Sequence, residues 1–90
     1  MNKSKLNEWA ARYIGEDDDL IPDAIDTEWY TTSVGAAMVL LAKSAKEGKK
    51  VELDIEDGKV EVYCGNAQEV GTIDEMALLI TTACFRCHNG

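Results

Sequence analysis

Asp57 and Gly58 constrain the fold of this chain more than any other pair. Asp-Gly is a favoured two-residue hairpin loop, because both central positions of a type I′ turn need positive φ. With that loop the facing pairs are Ile55 with Val60, Leu53 with Val62, and Val51 with Cys64. All three are apolar, so both strands agree on which face is the core and the register is fixed. The other face carries Glu52, Asp54, Glu56, Glu61 and Tyr63. Asp54 then sits opposite Glu61, an unfavourable like-charge pair unless solvated or bridged by a cation. A solvated outer face is the simpler expectation. Residues 68–71 read as a short third strand.

A hairpin of residues 51–64 needs helices to cover its apolar face, and the flanking sequence supplies them. Before it, a helix is expected over 31–47: Thr31, Thr32 or Ser33 can cap its first amides, and Gly48 stops it. No charged residue occurs from Val34 to Ala42. A helix apolar on every side is buried between other elements, at a subunit interface, or both. After the hairpin, Thr72-Ile73-Asp74-Glu75 reads as a capping box opening a helix over 72–87. Ile73, Ala77, Ile80, Cys84 and Cys87 recur on it at helical spacing, as do Met76, Leu79 and Ala83. Near the start, Leu6, Trp9, Ala10, Tyr13 and Ile14 form an apolar stripe on a helix over 3–14, ended by Gly15. Lys5, Asn7, Glu8 and Arg12 fall on its other face. Trp9 and Tyr13 should dock this helix on the remainder. Residues 16–29 form an acidic connection whose Pro22 discourages a continuous helix. The fold expected is α+β, helices packed on a small antiparallel sheet in one domain of αβα-type sandwich.

Ninety residues with 46% hydrophobic content make one core, with net stability of roughly 5–13 kcal/mol. The formal charge of −8 repels nucleic acid, whose binding requires Lys and Arg to displace condensed counterions, and disfavours anionic membrane surfaces. It suits a basic protein partner or a cation. No apolar run is long enough to span a membrane, and no apolar stretch follows Lys3 and Lys5 as in a secretory signal. A cytoplasmic location with reduced Cys64, Cys84 and Cys87 is therefore expected.

Four features resemble chemical sites. Cys84-Phe85-Arg86-Cys87-His88 matches the C-x-x-C-H attachment pattern of a c-type haem, but nothing signals the export that such attachment follows. Cys64, Cys84, Cys87 and His88 could form a Cys3His zinc set. Against it, adjacent helical residues diverge by about 100°, so the helix would have to end between Cys87 and His88. The preferred reading makes the cysteines small apolar residues and His88 a frayed terminal residue, with no cofactor and no metal. The acidic run Glu16, Asp17, Asp18, Asp19, Asp23, Asp26 and Glu28 lacks the alternating spacing of a calcium loop. Thr31, Thr32, Ser33 and Gly35 could present helix amides to an anion, although ordinary capping accounts for them equally. No catalytic set is identifiable: a Cys–His pair here lacks an orienting carboxylate or amide and an oxyanion element.

Tyr30-Thr31-Thr32-Ser33-Val34-Gly35-Ala36-Ala37-Met38, the Lys/Gly break, the hairpin and Ala77-Leu78-Leu79-Ile80-Thr81-Thr82-Ala83-Cys84 together resemble the phage ABA sandwich domain family. The opening Leu6-Asn7-Glu8-Trp9-Ala10-Ala11-Arg12-Tyr13-Ile14-Gly15 is similar to the short first helix of such proteins. The resemblance implies an α/β sandwich from a phage or prophage and brings no catalytic residues; the C-x-x-C-H ending lies outside the family pattern. The expectation is a non-catalytic accessory protein that self-associates and binds a host or phage protein, an inhibitor of a host defence protein being its concrete form. The alternative is a small-ligand binder such as a sponge for a signalling nucleotide.

Overall fold

The hairpin forms in the expected register, with Val51, Leu53 and Ile55 facing Cys64, Val62 and Val60. Asp57 and Gly58 have φ of 51° and 78°, as the turn demands. The computed structural model describes residues 2–90. In order these form α1 (Lys3–Ile14), α2 (Ile21–Asp26), α3 (Trp29–Thr32), α4 (Val34–Lys46), β1 (Val51–Glu56), β2 (Lys59–Cys64), β3 (Ala67–Thr72) and α5 (Met76–Asn89). Single 3₁₀ turns at Asp18–Leu20 and Ile73–Glu75 precede α2 and α5. The sheet is antiparallel in the order β1-β2-β3, giving the α+β arrangement expected.

The third strand is longer than the sequence indicated because every residue from Ala67 to Thr72 pairs with β2. Val60, Val62 and Cys64 are fully buried, and α5 lies over them. Gly71 permits the close approach: a Cβ there would stand 2.9 Å from a Leu79 methyl. Because α5 covers β2 and β3, the apolar residues of β1 are less protected, and Ile55 is 50% exposed. The helices pack on this one face; the opposite face presents Glu52, Asp54, Glu56, Lys59, Glu61 and Tyr63.

Three expectations about the helices are corrected. Residues 31–47 are not one helix: α3 ends at Thr32, and Ser33, in extended conformation, accepts from the Ala36 amide to start α4. The connection 16–29 is not an open acidic loop, because Pro22 sits in the first turn of α2, where its missing N–H is harmless. The last helix continues past Cys87 to Asn89. The Glu75 carboxylate does accept from the Thr72 amide and hydroxyl, each at 3.3 Å, at its start.

Asn7, placed by periodicity on the solvent side, is fully buried. Its Oδ1 accepts from the amides of Tyr30 (2.7 Å) and Thr31 (3.2 Å), and its Nδ2 donates to Thr31 Oγ1 and the Lys3 carbonyl, both at 2.9 Å. It thereby caps α3 from across the molecule, where Glu28 at φ 51° breaks the chain direction. The buried Thr81 hydroxyl donates to the Tyr30 carbonyl at 2.7 Å, and Tyr30 Oη donates to Glu16. These bonds tie α1, α3 and α5 into one core.

A candidate thiol–histidine site

The C-terminal end of α5, the last residue of β2 and the last turn of α4 converge on a cluster of sulfur and nitrogen atoms. Cys64 ends β2 on the core side, as its register demands. Cys84, Cys87 and His88 come from α5. On a helix, residues i+3 and i+4 lie about 60° and about 40° to either side of residue i, so Cys87 and His88 straddle Cys84. The objection that adjacent residues must diverge is thus corrected: both side chains reach inward while the helix continues. The ligand atoms of Cys64, Cys87 and His88 all lie within 4.8 Å of one another. Among the described residues, they are the one His, Cys, Asp and Glu group of three or more so placed. Neither the acidic run 16–28 nor the Asp54–Glu61 pair forms such a group.

His88 is not a frayed terminus. Its Nε2 lies 3.0 Å from Ser44 Oγ, and its ring packs 4.7 Å from Tyr13 and 5.9 Å from Trp9, centroid to centroid. Trp9 stacks on Tyr13 at 4.9 Å and meets Phe85 edge-on at 5.5 Å, so α1 docks through the two aromatics expected to dock it. Lys43 sits over the Tyr13 ring, and the Tyr13 hydroxyl donates to Glu47 and lies 3.4 Å from Ser44 Oγ. Burial, then the Glu47 carboxylate, push the Tyr13 hydroxyl up to about 12. The imidazole is held on one side by aromatic faces and on the other by Ser44.

Ser44 and Gly65 were not foreseen. Ser44 is fully buried and its hydroxyl faces the Cys64 and Cys84 thiols. A signal existed: Ala37, Leu40, Leu41 and Ser44 share the i, i+3, i+4, i+7 stripe, which leaves one polar residue on a buried face. Gly65 has φ 57°, and a Cβ there would come within 2.8 Å of Cys87 Sγ. Beside it, an open cleft of about 270 Å³ lined by Lys49, Gly65, Asn66, Ala67, Arg86 and Cys87 reaches the cluster from solvent.

The chemistry of the cluster is bounded by burial. Desolvation, followed by the neighbouring Cys87, pushes the Cys64 thiol up to about 11; desolvation, followed by the charge of Cys64, pushes Cys84 up to about 12. Both are protonated at neutral pH and are poor nucleophiles. Ser44 and His88 have the separation of a nucleophile and its base, but Ser44 exposes no surface to a substrate. Cys84 is equally inaccessible, so the C-x-x-C-H run cannot present both thiols to a haem.

The anion-binding set is also occupied by its own fold. Thr31 and Thr32 hydroxyls donate to the Glu28 carbonyl, at 3.2 and 2.8 Å, and Ser33 caps α4. The adjoining cleft of about 300 Å³ includes Asp74 and Glu75 beside Lys3, a poor field for a phosphate.

Comparison with protein-family models, with curated proteins and with solved structures finds no match to this chain.

Proposed function

We propose that this protein acts by binding, without catalysis, and that its open sheet face docks on a basic surface of a protein partner. The observation that carries this reading is the face itself. Glu52, Asp54, Glu56 and Glu61 share one side of β1 and β2, their only cationic neighbour in that register being Lys59, and the helices all pack on the other side. A mainly acidic surface on a chain of charge −8 steers cationic partners and repels polyanions. Taken with the sequence resemblance to phage ABA sandwich proteins, the concrete form is an accessory protein of phage or prophage origin that inhibits a host protein. Self-association belongs to the same reading. Val34, Met38 and Val39 are 38%, 39% and 51% exposed on a helix with no charge from Val34 to Ala42.

The test is affinity capture from host lysate with wild-type bait and with bait carrying Glu52→Gln, Asp54→Asn, Glu56→Gln and Glu61→Gln. A partner held by wild type, released by added salt and lost with the neutralised bait supports the reading. No specific partner at micromolar bait, or equal capture by both, rejects it. Sedimentation equilibrium of wild type and Met38→Lys checks the helix-face contact, which predicts an oligomer that the lysine weakens.

A further inference from the structure

We propose that Cys64, Cys87 and His88 bind one zinc ion per chain, with water from the cleft beside Cys87 completing four ligands. This inference does not depend on the sheet-face reading. Zinc is bound by thiolate sulfur at about 2.3 Å and imidazole nitrogen at about 2.0–2.1 Å in tetrahedral geometry. Those lengths place ligand atoms about 3.8 Å (sulfur–sulfur) and about 3.6 Å (sulfur–nitrogen) apart. All three ligand atoms already lie within 4.8 Å of one another, so closure on the ion needs at most about 1 Å of side-chain adjustment.

Three further observations separate this cluster from cysteines that merely fill a core. His88 is oriented by Tyr13, Trp9 and Ser44, the kind of outer support that fixes a ligating imidazole. Gly65 clears the space that Cys87 Sγ occupies, which any Cβ would invade. The cleft at Cys87 gives a path from solvent to an otherwise closed cluster.

Charge balance favours a divalent soft-ligand ion. Cys64 and Cys87 bind as thiolates and His88 through an imidazole nitrogen, and two thiolates with Zn²⁺ make an uncharged unit in a desolvated place. The thiols give up protons as the ion binds, so affinity rises with pH. Sulfur donors select zinc over magnesium or calcium, which take oxygen. Joining the end of β2 to the last turn of α5 also closes the sheet onto its covering helix.

The experiment uses full-length protein, reduced and stripped with chelator, then titrated with Zn²⁺ under native mass spectrometry and with Co²⁺ under absorption spectroscopy. The expected result is one ion per chain, a thiolate-to-cobalt charge-transfer band, and displacement of cobalt by zinc. Cys87→Ser and His88→Ala, both at half-buried positions, should each weaken binding by about tenfold or more while circular dichroism remains that of wild type. Glu52→Gln, on the far face of the sheet, should bind as wild type does. Retention of far less than one equivalent, or a Co²⁺ spectrum without thiolate absorption, overturns the proposal. So does binding that survives both ligand substitutions, because the metal would then lie elsewhere.

Discussion

Replacing Asn7 by Leu tests whether one buried amide governs how the first third of the chain packs. Leu restores much of the side-chain bulk but offers no acceptor, so the change isolates the polar contribution. The Tyr30 amide at 2.7 Å loses its partner, whereas the Thr31 amide, 3.2 Å from Oδ1, keeps the Glu28 carbonyl at 3.1 Å. The Tyr30 amide is buried, and at the start of so short a helix no backbone carbonyl takes it up. Leaving a buried donor unpaired costs about 1–3 kcal/mol, which is the loss expected here. Thr31 Oγ1 loses the donor at 2.9 Å but keeps its own bond to Glu28, which adds little. Against a total of about 5–13 kcal/mol, a loss of about 2 kcal/mol is a large fraction. For a domain of this size it lowers Tm by about 8–16 °C. Urea denaturation followed by far-ultraviolet circular dichroism measures it, with the slope against denaturant checked for constancy. A loss below about 1 kcal/mol at unchanged slope would refute the claim that Asn7 is the cap of α3.

Gly65→Ala combines a non-glycine residue at φ 57° with a Cβ 2.8 Å from Cys87 Sγ, and should destabilise by about 1–2 kcal/mol in urea titration; wild-type stability would show that the turn relaxes freely. Asp54→Asn removes one member of the Asp54–Glu61 pair and should stabilise by about 0.2–1 kcal/mol at low salt, a gain that shrinks as salt rises. Glu61 is the poorer choice there, because it also accepts from Tyr63 and pairs with Lys59. Alkaline pH should weaken the fold of reduced protein. Folded Cys64 and Cys84 hold their protons to about 11 and about 12, while unfolded thiols release them near ~8.5. Their contribution is thus complete below ~8.5 and falls with rising pH through the folded values, at up to about 1.4 kcal/mol per pH unit for each thiol. Unfolding free energies that stay flat from pH ~8.5 to ~9.5, a range in which tyrosines with a reference value near ~10 are mostly protonated, would contradict it.

What could be read from the sequence was whatever local pairing determines. The Asp57-Gly58 turn, the strand register and the apolar stripe with Trp9 and Tyr13 all follow from rules spanning a few residues. The single helix over 31–47 failed because three capping residues in a row, Thr31, Thr32 and Ser33, each offered a start. Ser33 is the cap of α4, whereas the two threonines turn back to Glu28. Asn7 was misplaced because helical period sorts residues by side and cannot see a partner 23 positions away. The thiol cluster was half legible: strand register placed Cys64 inward, and helical spacing placed Cys84 and Cys87 on the buried stripe. Bringing His88 in as well required the aromatic wall of α1, a tertiary fact.

The two surfaces invoked for function are linked through one strand yet chemically separable. Tyr63 and Cys64 are consecutive on β2, and the pleat sends them to opposite faces, Tyr63 toward the acidic sheet surface and Cys64 into the thiol cluster. Charge changes at Glu52, Asp54 or Glu61 alter the field felt by a partner without touching a thiol. Substitutions at Cys87 or His88 act on the helix side, away from that face. Coupling can pass only through the position of β2 itself, which a metal joining Cys64 to the end of α5 would hold. Loss of partner binding in the Cys87→Ser protein, with its acidic face unchanged, would therefore mean that the metal sets the shape of the docking sheet; retained binding would mean that the two sites work independently.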